Sequence, residues 1–145
     1  EASFVERFCE YLIDAGEFDT YDAAHYRAVK GMRVDGYAGD PYEYEGVLTL
    51  FISDFNQSDD MSTLTKTEMN AIFRRLENFY IKSRDPEFCL GLEESSDGFG
   101  IAQMISAGEE DIRRVRFYLL SNRVLSERVK GMEESTIGDI PVTYH

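Results

Sequence analysis

Val47-Leu48-Thr49-Leu50-Phe51-Ile52-Ser53-Asp54-Phe55 decides the fold class of this 145-residue chain. β-branched and aromatic residues fill the run, which follows Gly46 and gives way to the polar stretch Asn56 to Asp60. That pattern predicts a central, buried strand. Upstream, Met32 to Tyr37 reads as a second strand, entered through a Lys30-Gly31 turn from a shorter one near Ala24 to Val29, and Gly39-Asp40-Pro41 breaks it. At the start of the chain, Ser3 with Glu6 three residues on resembles a capping box, and Phe4, Phe8, Tyr11, Leu12 and Ala15 recur at helical spacing up to Gly16. An acidic connector, Phe18 to Asp22, joins this helix to the strands.

Downstream, Thr65 and Glu68 form another capping signature, and Met69, Ile72, Phe73, Leu76 and Tyr80 line one face of a long helix. Pro86 lies beyond its end. The stretch Glu93 to Gly98 leads to a weaker helical piece over Gly100 to Ala107, which reads as a helical insertion. Val115 to Leu120 is a further buried strand and Ile140 to Tyr144 the beginning of a last one. Helix, three strands, long helix, strand, strand is an α/β order in a single domain over residues 1–145. A start almost inside a helix and a stop in mid-strand suggest a domain cut from a longer chain.

Composition narrows the function. Fifteen Lys and Arg against 28 Asp and Glu give a net charge of −13, which disfavours non-specific binding to phosphate-rich partners. Residues 1–60 hold 14 acids and 4 bases, residues 61–145 hold 14 acids and 11 bases, so the carboxylates concentrate in the first half. An acidic solvated face explains this, as does a carboxylate cluster for a cation. No apolar run approaches the roughly 20 residues of a bilayer span, so no membrane partner is expected. Cys9 and Cys89 sit in apolar contexts as packing residues, and a reducing cytoplasm is the expected setting. P-loop, HExxH, GxSxG and dinucleotide fingerprints are absent from the sequence. His25 and His145 lie far apart with no acid at ligand spacing.

Alternation on the Val47–Phe55 strand puts Leu50, Ile52, Asp54 and Asn56 on one face, with Asp54 and Asn56 at its C-terminal end. Asp35, in Val34-Asp35-Gly36-Tyr37, interrupts the preceding strand. Were the two strands paired, Asp35 and Asp54 would come within range of one cation, and a divalent metal would remove their mutual repulsion. Mg²⁺ needs only one or two carboxylates. The bland alternative is that Asp54 ends a strand and Asp35 starts a turn. Tyr37, Tyr42 and Tyr44 lie near Asp35 as groove or surface tyrosines, and Arg113, Arg114, Arg116, Arg123 and Arg128 are candidates for phosphate contacts or for surface ion pairs.

Taken together, these residues resemble the restriction-endonuclease-like αβββαβ core, a mixed sheet with a first Asp and, on the next strand, an acid followed two residues later by Lys. More specifically, residues 3–145 resemble the N-terminal domain of the abortive infection phage resistance proteins. The resemblance rests on Phe8-Cys9-Glu10-Tyr11-Leu12-Ile13-Asp14-Ala15-Gly16-Glu17, Val34-Asp35-Gly36-Tyr37, Ile52-Ser53-Asp54-Phe55, Leu64-Thr65-Lys66-Thr67-Glu68, Arg75-Leu76-Glu77-Asn78-Phe79 and Leu120-Ser121-Asn122-Arg123-Val124-Leu125-Ser126. It implies a bacterial antiphage domain of nuclease type acting on DNA or RNA with Mg²⁺ or Mn²⁺. Asp35 and Asp54 would be the metal acids, and Glu6 or Glu10 the helix acid, with Glu6 favoured on the helical wheel. Asn56 stands where the motif has its lysine, so the charge would have to come from Lys66, Arg27 or Lys30. The other reading that the resemblance leaves open is a catalytically inactive binding or homodimerisation module serving a larger C-terminal region of the same protein.

Overall fold

The computed structural model describes residues 2–17, 21–28, 31–38, 46–55, 63–92, 97–108, 111–125 and 135–145. Helix α1 (Ala2–Asp14) precedes strands β1 (Asp22–Ala28), β2 (Met32–Ala38) and β3 (Val47–Asp54), and a two-residue strand β4 (Thr63–Leu64) leads into α2 (Lys66–Ser83). Helices α3 (Pro86–Leu90) and α4 (Asp97–Ala107) follow, then β5 (Arg114–Ser121), β6 (Val124–Leu125), β7 (Ser135–Ile137) and β8 (Ile140–Tyr144). The expected helix, three strands, helix and strand are all present, with α3 and α4 as the insertion.

Six strands form one mixed sheet in the order β1-β2-β3-β5-β8-β7. β1, β2 and β3 make an antiparallel meander, β5 runs parallel to β3 from Val47↔Arg114 to Asp54↔Ser121, and β8 runs parallel to β5. β4 and β6 pair separately as a small parallel sheet. These two-residue strands and β7 are too short to leave a period in the sequence, and none was expected there.

Two cores sandwich the sheet. Leu48, Leu50, Ile52, Val115 and Phe117 meet Leu76, Phe79 and Tyr80 of α2 with Ile101 and Ile105 of α4. Phe51, Tyr118 and Leu120, on the opposite face, meet Val5, Cys9 and Leu12 of α1. The alternation in β3 thus feeds both layers, as a strand buried on two sides must.

The helix ends follow local chemistry. α1 closes through Gly16 at φ 79, with Gly16 N–H bonded to Ile13 O and Glu17 N–H to Leu12 O, the double closure for which a left-handed glycine is suited. It begins at Ala2, so Ser3 lies within the helix instead of capping it, the terminal residue being where boundaries shift most easily. Thr65 caps α2, its Oγ1 accepting the Glu68 amide at 3.2 Å. β1 starts at Asp22, two residues ahead of the expected strand, and takes in the end of the acidic connector. The Gly39-Asp40-Pro41 break, Tyr42 and Tyr44 lie outside the described residues.

Gly36 packs closely against Phe51 and the β1 backbone. A Cβ built there would stand 2.2 Å from the Phe51 ring and 2.7 Å from Asp22 O. Gly36→Ala is therefore expected to cost about 1–3 kcal/mol by overpacking. Urea denaturation measures it, and an unchanged midpoint would refute the contact.

Two tyrosines tie the layers together. Tyr118 donates to Glu17 at 2.7 Å and Tyr144 donates to Glu77; burial, then these carboxylate partners, push both phenols up to about 12. Unfolded phenols ionise near 10. The folded state therefore holds these protons while the unfolded state loses them, so the stability is intact below pH 10 and drains away as pH rises toward 12. Alkaline unfolding followed by tyrosinate absorbance should show that loss, and Tyr118→Phe with Tyr144→Phe should flatten it.

Candidate functional site

Asp35 is fully buried in β2. Its Oδ2 accepts the Ser53 amide at 2.7 Å and the Ser53 hydroxyl at 3.2 Å, and Arg33 Nη2 lies 3.0 Å away. The same nitrogen donates to Ser53 Oγ at 3.1 Å. Local backbone geometry produces this knot. β1 carries an irregularity between Ala23↔Gly36 and Tyr26↔Val34, so two residues of β1 oppose Asp35 alone. Val34 joins the α2-side core, whereas Ala38 joins the α1-side core and Gly36 abuts Phe51. Strict alternation would put all three on one face, so the strand changes face at Asp35.

Asp54 ends β3 on the face of Leu50 and Ile52, as alternation requires. Arg123, two residues past β5, grips it with a two-pronged fork: Nε to Oδ2 at 2.7 Å and Nη2 to Oδ1 at 3.1 Å. Its third nitrogen, Nη1, reaches Glu68 Oε2 at 2.6 Å. Ser121 donates to Asp54 Oδ2 at 2.9 Å and accepts the Arg123 amide at 3.1 Å, holding carboxylate and arginine backbone in one frame. Hydrogen bonding to Asp54 raises the guanidinium's pKa against the opposing effect of burial, with the charges of Asp54 and Glu68 adding to it. The β4–β6 pair, with Leu64 beside the Thr65 cap and Val124 beside Arg123, ties the start of α2 to this end of the sheet.

The structure thus gives Asp35 and Asp54 separate arginines. It brings Asp54 together with Glu68, which the sequence offered only as half of a capping box. Glu6 and Glu10 are exposed on α1, the helix covering the Phe51 face, while Asp54 projects to the opposite one. Both lie near Tyr21, whose phenol is pushed up by burial and then by the charges of Cys9, Glu6 and Glu10. Asn56 and Lys30 fall outside the described residues, and Lys66 is exposed at the start of α2. Among the described residues, no group of three or more His, Cys, Asp and Glu is placed to hold a metal.

Of the five arginines between Arg113 and Arg128, Arg123 serves Asp54 and Glu68, and Arg116 bonds Thr49 Oγ1 and Glu17 O at 3.0 Å each while lying over the Tyr118 ring. Arg113 and Arg114 are exposed, and Arg128 lies outside the described residues. Cys9 is buried and its thiol pushed up to about 12 by burial, which leaves it an inert packing group; Cys89 is also buried and free. His25 lies in β1. No described helix is long and apolar enough to cross a membrane.

Fold and site together define a three-layer α/β domain with acid–arginine pairs at and beside the carboxyl end of a central strand. The chain belongs to the abortive infection phage resistance protein N-terminal domain family, whose profile matches residues 4–145. No curated protein and no solved structure matches it.

Proposed function

We propose that this domain acts on nucleic acid in antiphage defence as a restriction-endonuclease-like, Mg²⁺- or Mn²⁺-dependent phosphodiesterase, with Asp54 as the principal acid. The observation that carries the reading is the convergence of Asp54 and Glu68, from different elements, on one cationic group at the carboxyl ends of the parallel strands β3 and β5. Ligands of open α/β sheets collect at such ends. In this reading the guanidinium occupies the position of the metal ion. Asp54 and Glu68, with the Ser121 hydroxyl, would supply hard oxygen donors of the kind Mg²⁺ or Mn²⁺ takes, two carboxylates being sufficient. The chemistry such an ion supplies is charge stabilisation on a phosphodiester and a lowered pKa for water.

The chain's own residues do the positioning. Ser121 fixes the Asp54 carboxylate, and Thr65 fixes the turn that presents Glu68. Asp35 holds the Ser53 amide, and through it the backbone that carries Asp54. It enters the proposal as a positioning residue.

A second reading, a nuclease-like module that binds or dimerises on behalf of a C-terminal region, is favoured by the arginine already on each acid and by the net charge of −13. Cleavage of DNA and RNA oligonucleotides across a Mn²⁺ series separates them. The enzyme reading expects metal-dependent cleavage that falls by about a hundredfold or more in Asp54→Asn. Cleavage absent at every Mn²⁺ concentration, or indifferent to that substitution, would leave the module.

A further inference from the structure

Arg123 is held between two carboxylates of unequal exposure. All three of its guanidinium nitrogens face carboxylates, yet those carboxylates differ: the Asp54 side chain is 21% exposed and the Glu68 side chain 45%. The arginine side chain itself is 17% exposed, so the whole cluster is open to solvent from the Glu68 side. Charge does not close, because one guanidinium between two carboxylates leaves a net of −1, whereas a divalent ion in its place would leave zero. A guanidinium turned out of that position remains tethered between Ser121 and β6, within a side chain's length of the acids, and its two-pronged face suits phosphate oxygens as well as it suits Asp54.

We propose that Arg123 is a tethered cation occupying the metal position between Asp54 and Glu68, that a divalent ion displaces it, and that the freed guanidinium then binds a phosphodiester of the substrate. This rests on the reading under Proposed function and adds to it the residue that supplies the positive charge absent at Asn56. The exchange makes and breaks no covalent bond: two arginine–carboxylate pairs give way to metal–carboxylate contacts and an arginine–phosphate pair. It also makes metal and substrate mutually reinforcing, since each removes a competitor of the other.

Calorimetric titration with Mn²⁺ of the wild-type chain, Arg123→Gln, Arg123→Lys and Asp54→Asn tests this. Arg123→Gln should bind Mn²⁺ at least about tenfold more tightly than wild type, Arg123→Lys should fall between them, and Asp54→Asn should not bind. Should Arg123→Gln prove too unstable to titrate, Arg123→Lys, which keeps the charge but loses the fork, carries the comparison. With Mn²⁺ present, Arg123→Gln should also bind a phosphorothioate oligonucleotide more weakly, with a salt slope shallower by about one. Mn²⁺ binding that Asp54→Asn abolishes but neither arginine substitution strengthens would overturn the exchange and leave the metal reading standing. No Mn²⁺ binding in any variant would overturn both.

Discussion

Asp35→Ala is expected to lower the stability of the domain by about 3–5 kcal/mol, the cost of removing one partner from a buried ion pair. Asp35 has no exposed surface, and Arg33 retains only a small part of its own. Loss of the carboxylate removes an ion-pair partner from the Arg33 guanidinium and takes the acceptor from the Ser53 amide. Asp35→Asn should cost less, because the amide oxygen can still accept from Ser53. Replacing both partners, Arg33→Met with Asp35→Leu, should recover part of the loss, since both charges of the pair are then removed together. Urea denaturation of the four chains decides it; a loss under about 1 kcal/mol for Asp35→Ala would mean that the pair is not the buried unit described above.

The second large effect belongs to Phe117. This fully buried side chain of β5 stands edge-on to Tyr80 of α2, with ring centroids 6.2 Å apart, and to Tyr144 of β8 at 5.8 Å. It therefore joins the helical layer to the two central parallel pairings. Phe117→Ala should cost about 3–5 kcal/mol, because the strands around the vacated volume are held by backbone ladders and cannot close in. Leu90→Ala, at the end of α3 and 83% exposed, should stay within about 0.5 kcal/mol and serves as the control. Equal midpoints for the two variants would contradict this account of the core.

Legibility followed the strength of the period. Val47–Phe55 and the Met69–Tyr80 face carry long, regular patterns, and both elements form where those patterns put them. Asp54 points as alternation demands. Asp35 lies where β2 changes face, opposite the irregularity in β1, and a change of face spanning a single residue leaves no trace in composition. Glu68 and Arg123 were visible only in other roles, a capping acid and one of several arginines. Their meeting depends on β5 returning parallel to β3, with Asp54 beside Ser121, and no local signal encodes that register. Ser121-Asn122-Arg123, directly after a buried strand, was the nearest thing to a clue.

The β3–β5 pairing also sets the order in which the chain can fold. Its partners, such as Thr49 and Arg116, lie 67 residues apart, with α2, α3 and α4 between them. The β1–β2–β3 meander and the helices can form from near neighbours, but the middle of the sheet exists only after that long loop has closed. Parallel contacts of such separation are slow to form. Refolding should therefore be limited by the arrival of β5, and until then the β3 edge stands open, so substitutions in β5 should slow folding more than equally costly ones in α1.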